Sequence, residues 1–160
     1  MRIGRHISRG WSARAGLVVS VGSKAQMPSD IVAFFDAYRE AFNQLDGRAI
    51  SAFYQVPTMI SSGSGPGLFT DAESLIANNE KLCEHYRNTG FVKTAYRECS
   101  SILQSPNFVL IDLEWTIQRT QQSPQVFNTT YQLVRRDAAS AWKIEHVAAY
   151  SEMRTWMNHE

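Results

Sequence analysis

The chain is poor in cysteine, in charge and in long apolar runs. Its 160 residues hold two cysteines, Cys83 and Cys99, with no CxxC pair and no Cys/His cluster. That excludes a disulfide framework and leaves no zinc-ligand spacing. In residues 1–27 the one apolar run, Leu17–Val21, is short and broken by Ser20, which excludes a transmembrane helix there. Only 19% of the residues are charged. Acids are absent from residues 1–29, which carry Arg2, Arg5, Arg9, Arg14 and Lys24. Since the whole chain has 16 bases and 15 acids, the remainder carries a net charge of −4. A mildly acidic body has no concentrated basic face, so nucleic acid is not an expected partner.

What is present is a core-forming composition, 44% hydrophobic and 11% aromatic, in a length suited to one domain. Residues 1–28 form a basic leader, expected to be a disordered extension of a cytoplasmic protein. An organelle transit peptide or a secretory signal cleaved near Ser23-Lys24-Ala25 are the alternatives for residues 1–25. Residues 29–152 make the domain and residues 153–160 a tail.

Ser29 is an N-cap candidate and Asp30 suits a helix dipole's positive end. Ile31, Phe34, Phe35, Tyr38, Phe42 and Leu45 then recur in steps of three and four, an amphipathic helix broken at Asp46-Gly47. A short second helix has Ile50, Phe53 and Tyr54 as its apolar face and stops before Pro57. Thr58–Ser62 and Leu68-Phe69 are short strands around a Gly-rich turn. Thr70-Asp71-Ala72-Glu73 matches a capping box, opening a helix that Gly90 ends. Four long strands follow, over Phe91–Leu103, Phe108–Thr120, Val126–Arg136 and Trp142–Ser151, joined as an antiparallel meander. Their length implies strong coiling. The order predicts an α+β fold: three N-terminal helices on a strongly curved, mostly antiparallel sheet, a cone-shaped barrel with a hollow.

The stretch Phe35-Asp36-Ala37-Tyr38-Arg39-Glu40-Ala41-Phe42-Asn43-Gln44-Leu45-Asp46, with Phe53-Tyr54, Pro57-Thr58 and Trp142-Lys143-Ile144-Glu145-His146-Val147, resembles the nuclear transport factor 2-like superfamily. The likeness is to its SnoaL-like and ketosteroid-isomerase-like branches and covers about residues 30–152. It implies a cofactor-independent, metal-free domain. In the isomerase branch a carboxylate base ends the first strand; here Ser61 or Ser62 stands at that place, and serine cannot serve as that base. Tyr38 resembles the branch's oxyanion-hole tyrosine.

Alternation sorts the ionisable candidates on the long strands. Val109, Ile111, Leu113, Trp115 and Ile117 share one face, which puts Asp112 and Glu114 on the other. Val109, Val126, Val134 or their neighbours are expected on an open sheet face that a second copy covers, making a homodimer. Trp142, Ile144, His146, Ala148 and Tyr150 share a face of the last strand that lines the cavity in isomerase-like relatives. His146 is therefore the candidate general base, with Tyr38 as its catalytic partner. A lone histidine on an apolar face is more often a hydrogen-bonded core residue. The expected pocket comprises Tyr38, Phe42, Tyr54, Trp115, Tyr131, His146 and Tyr150. Three functions stay open: a binding domain for a small hydrophobic molecule, an acid–base enzyme on a polyketide-like or steroid-like substrate, and a noncatalytic assembly domain. A carboxylate beside His146 in the pocket would favour the enzyme, and an aromatic hollow without an acid–base pair would favour binding.

Overall fold

A computed structural model describes residues 26–149. The leader from 1 to 25, Tyr150 and the tail lie outside the described residues. Met27, assigned above to the leader, belongs to the core: it is 7% exposed, and its N–H donates to Glu98 Oε2 at 3.1 Å.

Helix α1 spans Ser29–Asn43 and buries Ile31, Phe35, Tyr38 and Ala41 at the expected spacing. Its N-cap is Pro28 rather than Ser29. At the other end Leu45 takes a left-handed φ of 51°, and the Asp46 N–H reaches back to the Ala41 carbonyl. The helix thus closes at Leu45, and Gly47 opens the next one. Helix α2, Gly47–Ser51, is capped by Asp46, whose carboxylate accepts from the Ala49 N–H at 2.8 Å. Helix α3, Ala72–Asn88, is capped one residue later than the capping-box pattern places it, by Asp71 accepting from the Ser74 N–H at 2.8 Å. Gly90, with φ of 73°, follows its end as expected.

Six strands form one sheet: β1 Tyr54–Ser62, β2 Gly65–Phe69, β3 Phe91–Ser105, β4 Phe108–Arg119, β5 Gln125–Val134 and β6 Lys143–Ala148. Their order is β2-β1-β6-β5-β4-β3. The meander from β3 to β6 is antiparallel, and β1 runs parallel to β6. Three register shifts along β3 accompany the coiling anticipated from strand length. The sheet stays open, because β2 and β3 are edges that do not pair with each other. Phe53 lies past the end of α2, and Tyr54 begins β1 instead of joining the helix's apolar face. Pro57 is tolerated inside the sheet because pairing with β6 is interrupted between Tyr54 and Met59.

The helices pack on the inner sheet face, where Val109, Ile111, Leu113, Trp115 and Ile117 are all buried. Val109 is therefore core, at 0% exposure, while Val126, at 49%, does lie on the open face. Asp112 and Glu114 fall on that open face as alternation requires. Glu114 accepts two bonds from the Arg97 guanidinium, at 3.1 and 2.9 Å.

A polar clasp fixes the entry to α1. The Trp142 indole N–H donates to Asp30 Oδ2 at 2.9 Å, Arg135 pairs with the same oxygen at 3.2 Å, and its guanidinium lies 4.3 Å from the Trp142 ring centre. The Trp142 bond above all, helped by the Ile31 amide and Arg135, lowers the Asp30 carboxyl below its ordinary value. A depressed folded-state value stabilises above the unfolded carboxyl value near 3.9, and that contribution is lost as pH falls through the folded one. Asp30→Ala is expected to cost about 1 kcal/mol at pH 7, reduced by the carboxylate's exposure. Urea midpoints for parent and variant should draw together as pH falls below about 4, through the lowered folded-state value. An unchanged gap would mean that the side chain acts by packing rather than as an anion.

Candidate functional site

Between the inner face of the sheet and helices α1 and α3 lies a cavity of about 90 Å³. Helix α1 contributes Tyr38 and Phe42, and β1 contributes Tyr54 and Ile60. From α3 come Asn78, Asn79, Leu82 and Tyr86. The sheet wall is built by Trp115 and Ile117 on β4 and by Phe127, Thr129 and Tyr131 on β5, with Thr94, Val147 and Ala149 beside them.

Five of the seven expected pocket residues, Tyr38, Phe42, Tyr54, Trp115 and Tyr131, thus line one space. Tyr38 is its centre. Its hydroxyl lies 2.7 Å from the Tyr54 hydroxyl, and its ring centre 5.9 Å from that of Tyr131. Burial, reinforced by the neighbouring Tyr54 and Tyr131 hydroxyls, pushes the Tyr38 phenol well above the ordinary range. It is a fixed proton donor or acceptor and does not titrate at neutral pH. Opposite it, Asn79 is 2% exposed in mid-helix and donates to Ser51 Oγ at 2.9 Å, while Ser51 donates to the Gly47 carbonyl at 2.7 Å.

His146 is placed elsewhere. β5 and β6 shift register between Gln132 and Leu133: Leu133 pairs with Ile144, yet Gln132 pairs with His146 and Tyr131 with Val147. Glu145 and His146 therefore oppose one residue, and the extra residue reverses every later side chain. Val147 and Ala149 enter the cavity in place of His146 and Ala148. His146 shares the outer face with Gln132, where its Nε2 lies 2.9 Å from Ser61 Oγ. Glu145 is held by the amides of Gln55 at 3.0 Å and Gln132 at 2.5 Å. The expected place of a base at Ser61 or Ser62 is likewise off the cavity, which takes Ile60 from that segment. Tyr150 lies outside the described residues.

Asn79 and Thr129 are pocket residues not anticipated above. Both had a signal. Asn79 sits on the apolar stripe of α3 between Leu75 and Cys83, and Thr129 alternates with Phe127 and Tyr131. Among the described residues that line the cavity there is no carboxylate, imidazole, thiol or cation. No cluster of three or more metal-ligating side chains occurs among the described residues. Cys83, on the buried face of α3, has its thiol pushed up to about 11, chiefly by burial. No described helix is long and apolar enough to cross a membrane.

Solved structures with the same fold are numerous. An NTF-2 like protein of unknown function from Shewanella oneidensis is 18% identical with a TM-score of 0.61, over 76% of this chain and 96% of that one. A ketosteroid isomerase-like protein from Erwinia carotovora atroseptica is 18% identical with a TM-score of 0.58, over 76% and 93%. A domain of unknown function with a cystatin-like fold from Nostoc punctiforme is 14% identical with a TM-score of 0.64, over 82% and 83%. At such identities these likenesses establish the fold alone. No curated protein matches the sequence. The family model described as NTF2-like protein (DUF6841) matches residues 29–152, and the chain belongs to that NTF2-like family.

Proposed function

We propose that this domain is a noncatalytic binding module that holds one small, uncharged, largely apolar molecule in its cone. The observation that carries this reading is the cavity wall: among the described residues it is built of aromatic and aliphatic side chains with neutral polar groups, and no acid–base pair. Proton-transfer catalysis needs a group that changes protonation near the working pH, and the titratable groups on this wall are tyrosines. His146, the one candidate base, faces the other side of the sheet. Aromatic walls with a few placed polar groups are what small-molecule sites are generally made of.

Size narrows the occupant. At about 90 Å³ the cavity suits a compact small molecule.

Toluene is a suitable first probe. Titrated at millimolar concentration, it is expected to move NMR signals of the cavity wall, Phe127, Tyr131 and Val147 among them. Ala149→Phe, which fills part of the space, should abolish the response while circular dichroism stays unchanged. Signals that move only on the outer sheet face would overturn the assignment of the cavity as the site, and so would an absence of any response.

A further inference from the structure

The exposure of the lining residues shows where the cavity meets the outside. Those supplied by β4, β5 and β6 are all buried, whereas Phe42, Ile60, Asn78 and Leu82 keep partial exposure. Helix α3 packs mainly on α2 and touches the sheet only lightly, at β2 and β3. Asn78 and Leu82 therefore form a rim that faces the ends of β1 and β6 across the cavity.

The described chain ends at that rim. Past β6 the Ala149 N–H donates to the Ser61 carbonyl at 2.8 Å, which holds Ala149 beside β1. Ala149 is 7% exposed and lines the cavity together with Ile60. Residues 150–160 thus set out from the cavity wall. Their sequence is charged or polar except at Tyr150, Met153, Trp156 and Met157. Met153, Trp156 and Met157 fall at i, i+3 and i+4, the spacing that gathers side chains on one side of a helical turn. Four residues past Ala149, Met153 can stand up to about 13 Å from it. That reach is enough to bridge from β6 to α3, since both border one cavity.

We propose that the C-terminal segment covers the mouth of the cavity, with Met153, Trp156 and Met157 laid against Leu82 and Ile60. The proposal rests on the binding reading above and adds how that site is closed. A ligand is held between the aromatic wall and the end of its own host chain. Methionine and tryptophan suit such a cover: the unbranched thioether adapts to what lies beneath it, and the indole supplies a large apolar face. Exchange of ligand then requires the segment to lift, so it governs entry and release as well as affinity.

The full chain, with labelled Ile, Leu and Val methyl groups, tests this by NMR without and with toluene. The Trp156 ring, assigned by its loss in Trp156→Ser, is expected to show NOEs to the Leu82 and Ile60 methyls of the same molecule before toluene is added. That readout is independent of whether the variant folds. Trp156→Ser should weaken toluene binding about fivefold, as the covered side of the ligand regains contact with water, and speed its release. Absence of both NOEs, with toluene affinity unchanged in the variant, would overturn the cover and leave the cavity a binding site. NOEs to Ile117 on the sheet wall would overturn it as well, because the indole then fills the cavity itself. So would NOEs seen only between differently labelled molecules, which place the segment on a second copy. NOEs as expected in a parent that binds no toluene would uphold the docking of the segment and overturn the binding reading.

Discussion

Phe35→Ala is expected to lower the stability of the domain by about 4 kcal/mol, within the range for large aromatic truncations in closed cores. Phe35 is fully buried at the contact of α1 with the sheet. Its ring centre lies 5.1 Å from Tyr131, 5.2 Å from Phe34, 6.0 Å from Tyr96 and 6.2 Å from Tyr38. Both the removed transfer free energy and the void left behind contribute, and four aromatic rings held by other contacts cannot collapse into that void. Since single domains are stable by about 5–15 kcal/mol, the loss is a large fraction of the total. Urea denaturation of parent and variant measures it directly. A cost below about 1.5 kcal/mol would show that α1 relaxes towards the sheet and that its aromatic stripe is loosely held.

Gly47→Ala gives the second large effect, and its sign decides between two principles. Helix propensity and the reduced entropy of the unfolded chain favour alanine by roughly 0.4–1 kcal/mol. Packing opposes it. A Cβ at Gly47 would lie 2.6 Å from the Glu80 backbone nitrogen and 2.8 Å from the Glu80 side-chain Cδ. The side chain can swing away; the backbone of α3 cannot. Overpacking of this kind costs typically 1–3 kcal/mol and sometimes more, so a net destabilisation of about 2 kcal/mol is expected. The damage should reach the site, because Asn78 and Asn79 precede Glu80 on α3 and line the cavity. Stabilisation by alanine would mean that α2 and α3 separate easily.

These two positions differ in how visible they are in the sequence. Phe35 belongs to a helical period that any reading of residues 31–45 finds. Gly47 reads as a helix breaker after Asp46, yet α1 closes on the left-handed backbone of Leu45, and the glycine serves a close approach between two later helices. Long alternating strands were equally legible: the buried set Val109 to Ile117 follows from period two, and with it the outward placement of Asp112 and Glu114. His146 was not. A bulge adds one residue without any side-chain signature, and everything after it changes face. The two cavity residues that β6 and its end supply, Val147 and Ala149, are small and apolar and carry no chemical signal. The parallel pairing of β1 with β6 was also hidden, because alternation shows which face a residue takes and says nothing about which strand lies alongside.

That parallel pairing has a consequence for the order of assembly. Gln55 on β1 and Glu145 on β6 meet across 90 residues of chain. β6 is the last described strand, and it occupies the middle of the sheet, between β1 and β5. Until it is in place the sheet exists as two pieces, the β1–β2 hairpin and the β3–β4–β5 meander, each with an uncovered edge. Contacts of such long sequence separation slow folding, since loop closure precedes any gain from pairing. On the ribosome the helices and five strands emerge before the strand that joins them. During that interval the unpaired edges of β1 and β5 are where a nascent chain is most open to pairing with a neighbour.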